Sequence, residues 1–260
     1  MIKVSNQTII AAFRVLESHA RYSRWLRTFP GTLGLYASAE KAFSARNGNI
    51  KCFQPIYDSL RGQSQAFRGV ETHWDARKIY SELMHLDGDL RVLSLSRVEA
   101  EHWPRVWGSV SAMRQIKETR NGPSLVALSK FLHFWNPRLF VIFDAAVMEG
   151  YVCRHMWLAC ELSQDDRVRE LCRVPKREND GFERLVTYMR FLMFASGFAQ
   201  RNPHVVTAFA QMARRQAGNT EFANSVNDYE AVAVEWCLQG LVELCPAGVK
   251  TQGSRKKSGP

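Results

Sequence analysis

The sequence predicts an all-α protein, and three observations support this. Apolar residues recur three and four positions apart over long stretches, notably 182–199, 203–216 and 228–244, which is the spacing of one face of an α-helix. Alternating strand patterns are scarce. The stretches are separated by turn-forming pairs such as Asn47-Gly48 and Asn136-Pro137. We therefore predict helices joined by short turns.

The same periodicity predicts the other helices. They fall near residues 7–19, 35–46, 74–86, 109–118, 124–135 and 145–162. Pro203 suits a first helical turn, and Asp228 suits an N-cap. Residues 249–260 are basic and poor in apolar side chains, so we predict a disordered tail there.

The composition indicates a folded, basic protein. The hydrophobic fraction is 46 %, with 15 Phe and 7 Trp, which suffices for a core. Lys and Arg outnumber Asp and Glu by 35 to 25, giving a net charge of +10. An excess of this size steers a protein towards polyanions and indicates nucleic acid as the partner. A basic protein that never meets nucleic acid is the alternative interpretation.

The six cysteines indicate free thiols in a reducing compartment, because no Cys-x-x-Cys pair occurs. The group Cys153, His155, Cys160 and Cys172 has the spacing of neither a zinc site nor an iron–sulfur cysteine box, so we predict no metal. The first twenty residues lack signal-peptide architecture, and no apolar run is long enough to cross a membrane. We expect a cytoplasmic protein with no membrane contact and no obligate protein partner.

One segment, residues 120–151, carries most of the functional information. A turn is predicted at Asn121-Gly122-Pro123-Ser124, because these residue types favour turns, and Ser124 can cap the following helix. That helix, about 124–135, is apolar except for Ser129, Lys130 and His133. A short apolar connector follows it, and Asp144 then stands where a carboxylate would cap the next helix.

This arrangement resembles the helix–hairpin–helix DNA glycosylases. Members of that family have a tight glycine-containing hairpin, a helix, an apolar connector and an aspartate in a phrase like Val-Asp-x-x-Val. Here Asn121 to Ser124 stands for the hairpin, with Ser124 replacing its second glycine, and Phe143-Asp144-Ala145-Ala146-Val147 stands for the aspartate phrase. The 22 positions from Gly122 to Asp144 match the separation expected in endonuclease III-like and adenine-glycosylase-like members. The resemblance covers about thirty residues.

The resemblance implies a catalytic role for Asp144. A glycosylase extrudes its target nucleotide and stabilises an oxocarbenium-like sugar while the base departs. An aspartate at a cleft-facing helix start can stabilise that sugar and orient the attacking water. A purely capping aspartate is the alternative interpretation of Asp144.

The resemblance also implies a monofunctional enzyme. The nucleophilic lysine of bifunctional members maps to Val126, so water rather than an amine attacks the sugar. Lys130 lies one turn further along nearly the same helix face. It is open to four interpretations, namely a relocated nucleophile, a phosphate contact, an ion-pair partner of Asp144, or a lysine that extends to solvent.

The hairpin, the connector and several aromatic residues supply the other candidate site residues. A hairpin presents backbone N–H groups to DNA phosphates, and nearby cations strengthen that contact. The candidate DNA-binding residues are Lys117, Arg120, Asn121, Gly122, Ser124 and Arg138. Flipped bases are recognised by stacking and edge hydrogen bonds. The candidate base-pocket residues are Trp103, Trp107, His133, Trp135 and Phe143, for which a plain core position, or a satisfied buried histidine, is the alternative.

The family's layout implies two helical lobes with a cleft between them. One lobe would comprise residues 95–195, including the helix–hairpin–helix-like segment 112–135 and Asp144. The other would combine residues 1–94 with 196–248. We expect double-stranded DNA as the partner, a damaged or modified base as the leaving group, and no cofactor. The biological setting is either repair or defence against phage with modified DNA.

Three alternatives compete with this interpretation. A non-catalytic DNA-binding protein would need Gly122 and the basic residues but not Asp144. The run from Arg14 to His19 fits the Arg-x4-His pattern of helical HEPN ribonucleases, although Val15 replaces their usual polar residue. In a helical toxin or scaffold, the resemblance would be accidental.

Overall fold

The structure is a computed structural model, and every structural statement below concerns the residues it describes. These are residues 3–18, 34–44, 48–63, 72–116, 118–119, 122–143, 181–217 and 229–244. The predicted helix at 145–162, the capping role of Asp228 and the tail at 249–260 lie outside them.

Helices dominate the described residues, which confirms the all-α prediction. They are α1 (Asn6–Ser18), α2 (34–42), α3 (Ile50–Asp58), α4 (Ala76–Met84), α5 (Trp103–Ala112), α6 (Leu125–Trp135), α7 (Gly181–Arg201), α8 (His204–Ala217) and α9 (Glu230–Glu243). Shorter helical turns are the π-helical Ser59–Gln63 and the 3-10 segments Gly88–Val92, Leu95–Arg97, Ala100–His102 and Met113–Ile116. The extended pairing found in the described part is one two-residue antiparallel hairpin, β1 (Glu118–Thr119) with β2 (Gly122–Pro123).

One predicted helix is misplaced. The prediction at 109–118 was wrong in its bounds, because α5 runs from Trp103 to Ala112 and a 3-10 turn follows it. Pro104 lies in the first turn of α5, where its fixed φ and missing N–H favour a helix start. Helix α3 falls in no predicted stretch, so the sequence analysis missed it. The remaining described helices lie close to the predicted stretches.

The first helix packs against the last two, which brings the two ends of the described chain together. Helix α1 contacts α8 and α9, and α8 contacts α9. Gly240 of α9 permits a close approach, because a Cβ placed there would lie 2.3 Å from the carbonyl oxygen of Ala12 on α1. The absence of a side chain at residue 240 therefore sets the spacing of these helices.

Helix α7 packs against several other elements of the described structure. It contacts α5, α6, α9, the 3-10 segment Leu95–Arg97 and strand β2. The buried apolar residues form one continuous cluster. The predicted lobe boundary at 195/196 falls inside α7, so that helix would belong to both lobes. The two-lobed arrangement stays a prediction.

The membrane prediction can be compared with the helices directly. Across the described ranges, no helix combines the length and the apolar character needed to span a bilayer.

The close contact at Gly240 generates a stability prediction. Gly240→Ala must push α1 and α9 apart, so we expect it to lower the free energy of unfolding by about 1–3 kcal/mol, as overpacking does. Gly108→Ala is the matched control, since Gly108 lies within α5 with nothing within 4 Å of an added Cβ. We expect that variant to be stabilised by about 0.5–1 kcal/mol through the reduced entropy of the unfolded chain. Urea denaturation measures both, and equal effects would contradict the close contact.

Candidate active site

Residues 138–143 precede Asp144 and form a mostly buried, non-helical segment, which we call the connector. It begins three residues after the end of α6, and Leu139, Phe140, Val141 and Phe143 are fully buried. A buried backbone must find hydrogen-bond partners, because an unpaired peptide group loses its water without compensation. The partners of the connector therefore determine how its path is fixed.

Asn136 fixes the start of the connector. Its side-chain Oδ1 accepts a hydrogen bond from the Arg138 amide at 2.9 Å, and its Nδ2 donates to the carbonyls of Leu90 and Leu93 at 2.5 and 2.9 Å. The backbone carbonyl of Asn136 accepts from the amide of Phe140 at 3.1 Å. Asn136 is buried, so these bonds replace its hydration and join α6 to the segment before α5.

Backbone groups from elsewhere complete the anchoring at this end. The carbonyl of Arg138 accepts from the Leu95 amide, and the carbonyl of Pro137 accepts from the Ala231 amide in the first turn of α9, both at 3.1 Å. Three parts of the chain that are distant in sequence thus meet where the connector begins.

Side chains from α6 and α7 fix the far end of the connector. His133 Nδ1 bonds the Phe140 carbonyl at 2.6 Å, and the Tyr188 hydroxyl donates to the Val141 carbonyl at 2.8 Å. The amide of Phe143 donates to Ser129 Oγ at 2.9 Å. Phe143 is the last described residue before Asp144, so the chain enters Asp144 from an anchored peptide group.

The protonation of His133 follows from its two partners. A carbonyl only accepts, so Nδ1 carries the proton that bonds Phe140. Burial lowers the pKa of His133 to about 4, which keeps the ring neutral near pH 7. Nε2 is therefore an acceptor, and the Tyr36 hydroxyl donates to it at 2.6 Å. Burial raises the pKa of Tyr36 well above its ordinary value, so Tyr36 keeps that proton.

A carboxylate that the sequence analysis did not select, Glu235 on α9, lies near this network. Burial is the largest cause that raises the pKa of Tyr36 and of Tyr188, and the negative charge of Glu235 is the second for both. Glu235 is half-buried, and its Oε1 accepts a hydrogen bond from Gln239 Nε2 at 3.3 Å. The tyrosines that border the connector thus share one acidic neighbour.

Lys130 is buried on α6. Its exposed fraction is 5 %, which contradicts the interpretation of a lysine that extends to solvent. Its neighbour in sequence is Ser129, which holds the Phe143 amide. The other three interpretations of Lys130 stay predictions.

Most of the proposed base-pocket residues are core residues in this structure. His133, Trp135 and Phe143 are between 0 and 3 % exposed. The ring of Phe143 packs edge-on against Phe191 at 5.3 Å between centroids. Both nitrogens of His133 are already bonded to protein. Their burial favours the alternative interpretation, a plain core position for Trp135 and Phe143 and a satisfied buried histidine for His133. Their role in reading a base stays a prediction.

The two tryptophans of α5 have a different environment. Trp103 and Trp107 are half-buried, and Trp107 meets Phe182 of α7 edge-on at 5.3 Å between centroids. Phe182 is 59 % exposed. The aromatic side chains that face solvent here are therefore those of α5 and α7.

The hairpin region is only partly described. Gly122 lies in β2, opposite Thr119, and Ser124 caps α6 by accepting the Ala127 amide at 3.3 Å. Lys117, Arg120, Asn121 and Asp144 lie outside the described residues, as do Cys153, His155, Cys160 and Cys172. Arg138 is half-buried at the start of the connector. Only one residue of the alternative ribonuclease motif is described. Arg14 is exposed on α1, and His19 lies outside the described part.

Comparison with protein-family models, with curated proteins and with solved structures gave no match to this chain. The resemblance to helix–hairpin–helix glycosylases therefore stays a prediction from the sequence.

The buried neutral histidine generates a pH prediction. The pKa of His133 is about 4 in the folded chain against 6.5 for an ordinary histidine, so the unfolded chain binds the extra proton first. Stability from this group is complete above pH 6.5 and is lost as the pH falls towards 4. We expect the wild type to lose about 3 kcal/mol more than His133→Gln between pH 7 and pH 4. Urea denaturation across this range measures the difference, and parallel pH profiles would show that the histidine is not buried and neutral.

Proposed function

We propose that this chain is a DNA glycosylase that hydrolyses the N-glycosidic bond of a damaged or modified base and leaves an abasic site. The observation that carries the proposal is the anchored connector. Its last described amide, that of Phe143, is hydrogen-bonded to the side chain of Ser129 immediately before Asp144. The aspartate is the residue that the family resemblance assigns to catalysis.

Anchoring of this kind supports a catalytic aspartate over a merely capping one. Electrostatic stabilisation of a transition state requires a charge that is already in place, since a mobile carboxylate must reorganise during the reaction. Catalytic side chains are accordingly held by packing and by hydrogen bonds from a supporting shell. Ser129, His133 and Tyr188 provide such a shell for the chain that enters Asp144. Residues joined by one peptide have Cα atoms only about 3.8 Å apart, so the anchored Phe143 is the described residue nearest in sequence to Asp144.

The proposed reaction is displacement of the base by water. The bond between the sugar C1′ and the base nitrogen breaks and leaves its electron pair on the base, while the Asp144 carboxylate stabilises the cationic sugar. A water oxygen then bonds C1′, and the water gives up a proton to the carboxylate or to solvent. Val126 stands where a Schiff-base lysine would be, which supports a monofunctional enzyme.

The partner in this proposal is double-stranded DNA. The net charge of +10 favours binding to phosphates, and Lys117 and Arg120 flank the hairpin turn in the sequence. A damaged base would make the enzyme a repair protein, whereas a modified base in phage DNA would make it a defence protein. Both settings use the same hydrolysis.

The proposed role of Asp144 is tested by a matched pair of aspartate variants. We expect Asp144→Asn to lower abasic-site formation by about 100-fold or more, because the negative charge is lost. Asp75→Asn is the control, since Asp75 caps α4 by accepting the Lys78 amide at 2.8 Å. Asparagine caps a helix as well as aspartate does, so a capping role survives either change. Abasic sites are counted on undamaged, damaged and phage-derived DNA containing modified cytosine.

Each outcome of that assay has a distinct meaning. Base release that persists in Asp144→Asn would contradict the catalytic role. DNA binding without any base release would favour the non-catalytic DNA-binding protein. Strand cleavage without added base or heat would indicate a lyase and would make Lys130 the candidate nucleophile.

A further inference from the structure

Helix α2 (34–42) contributes one buried hydroxyl group to the network that holds the connector. Tyr36 is 5 % exposed, and its hydroxyl donates to Nε2 of His133 at 2.6 Å. The two residues are 97 positions apart in the sequence, so this bond is a tertiary contact. It joins α2 to α6, the helix that the connector follows.

The Tyr36 hydroxyl completes the hydrogen bonding of a ring that holds the connector from its other side. His133 Nδ1 donates to the Phe140 carbonyl at 2.6 Å, so Nε2 of the neutral ring has a lone pair and needs a donor. The ring is buried, and a buried acceptor without a partner is unfavourable because it has lost its water. Removal of the hydroxyl therefore leaves the ring bonded to the connector on one side and unsatisfied on the other.

Packing fixes the position of the Tyr36 hydroxyl. The centroid of its ring lies 5.0 Å from that of Phe134 on α6 and 4.6 Å from that of Tyr229. Aromatic rings at such distances prefer a narrow set of orientations. Burial raises the pKa of Tyr36, so the hydroxyl keeps its proton and remains a donor. Tyr36 is thus able to hold the imidazole ring in one place.

The bond that His133 makes lies in the middle of the connector. Asn136 holds the start of the connector, and Ser129 holds its end. His133 holds the Phe140 carbonyl between them. Movement of the His133 ring would therefore release a peptide group that lies four residues before Asp144 in the sequence.

We propose that Tyr36 is a positioning residue for the proposed hydrolysis, because its hydroxyl holds the connector through the ring of His133. The proposal rests on the proposed function in taking base release at Asp144 as the reaction. It adds a buried residue of α2 that acts through another side chain rather than on the substrate. The rate of a chemical step depends on how closely the reacting groups keep their geometry. A loosened connector therefore lowers the rate of base release and leaves the affinity for DNA unchanged.

Removal of one oxygen atom tests this proposal. On DNA from which the wild type releases a base, we expect Tyr36→Phe to lower the single-turnover rate about tenfold and to leave the dissociation constant unchanged. Tyr80→Phe is the matched control. The Tyr80 hydroxyl donates to the Ala42 carbonyl, also on α2, at 2.9 Å, so the same atom is removed from a bond that does not involve the connector. We expect that variant to release the base at the wild-type rate.

A double-variant comparison shows whether Tyr36 acts through His133. We expect Tyr36→Phe to have no further effect on the rate in a His133→Phe background, since phenylalanine has no nitrogen to accept the bond. Effects of the two changes that multiply would show that Tyr36 acts by another route and would overturn the proposal.

The same bond is observable without an assay of activity. In the wild type, ¹⁵N spectra of the His133 ring should show a protonated Nδ1 and an Nε2 that accepts a hydrogen bond. In Tyr36→Phe the Nε2 resonance should shift towards that of a nitrogen without a partner, whereas Tyr80→Phe should leave it unchanged. An Nε2 resonance that does not respond to Tyr36→Phe would overturn the proposal, even for a variant too unstable for kinetics.

The remaining outcomes separate this proposal from the proposed function. Base release that depends on Asp144 but is unchanged in Tyr36→Phe would remove this proposal alone. An equal loss of rate in Tyr36→Phe and Tyr80→Phe, or a loss of DNA affinity in step with the rate, would indicate a general structural effect and overturn it. Absence of base release by the wild type would remove both this proposal and the proposed function.

Discussion

The hydrogen bonds that hold the connector (residues 138–143) are the constraint on which the described site depends. Extended chain buried among helices cannot satisfy its peptide groups with its own neighbours as a helix does. Here Asn136, His133 and Ser129 from α6 and its C-terminal cap, together with Tyr188 from α7, provide the partners. Because these partners come from two helices, the path of the connector is fixed only when those helices are packed together. The chain reaches Asp144 from that fixed path.

Helix α7 joins this site to the rest of the protein. Tyr188 bonds the connector, Phe191 packs on Phe143, and Ser196 Oγ donates to the Leu95 carbonyl at 2.7 Å. At its other end Phe182 is exposed beside Trp107. One helix therefore contacts both the anchored approach to the proposed catalytic residue and the segment that precedes α5. A change in the position of α7 would affect both features.

Local sequence patterns predicted the fold class and most described helices, because an apolar face recurs at fixed spacing wherever a helix covers a core. They also predicted the non-helical run after α6, which is too short for a helix of its own. They could not predict the bonding of Tyr36 to His133 or of Tyr188 to Val141, since 97 and 47 residues separate those pairs. The same limit explains why aromatic residues in the core were selected for a base pocket. Periodicity places a side chain on a helix face but does not say what covers that face. Asp144 lies outside the described residues, so its role rests on the sequence resemblance and on the anchoring of Phe143.

Amide hydrogen exchange at Phe143 is the most direct measurement of this constraint. In the wild type we expect the Phe143 amide to be protected, because it donates to the buried hydroxyl of Ser129. Ser129→Ala should remove that protection while the Phe140 amide, which donates to the Asn136 carbonyl, stays protected. Base release should fall in the same variant as Asp144 loses its fixed approach. A Phe143 amide that exchanges freely in the wild type, or one equally protected in Ser129→Ala, would show that this hydrogen bond does not anchor the connector.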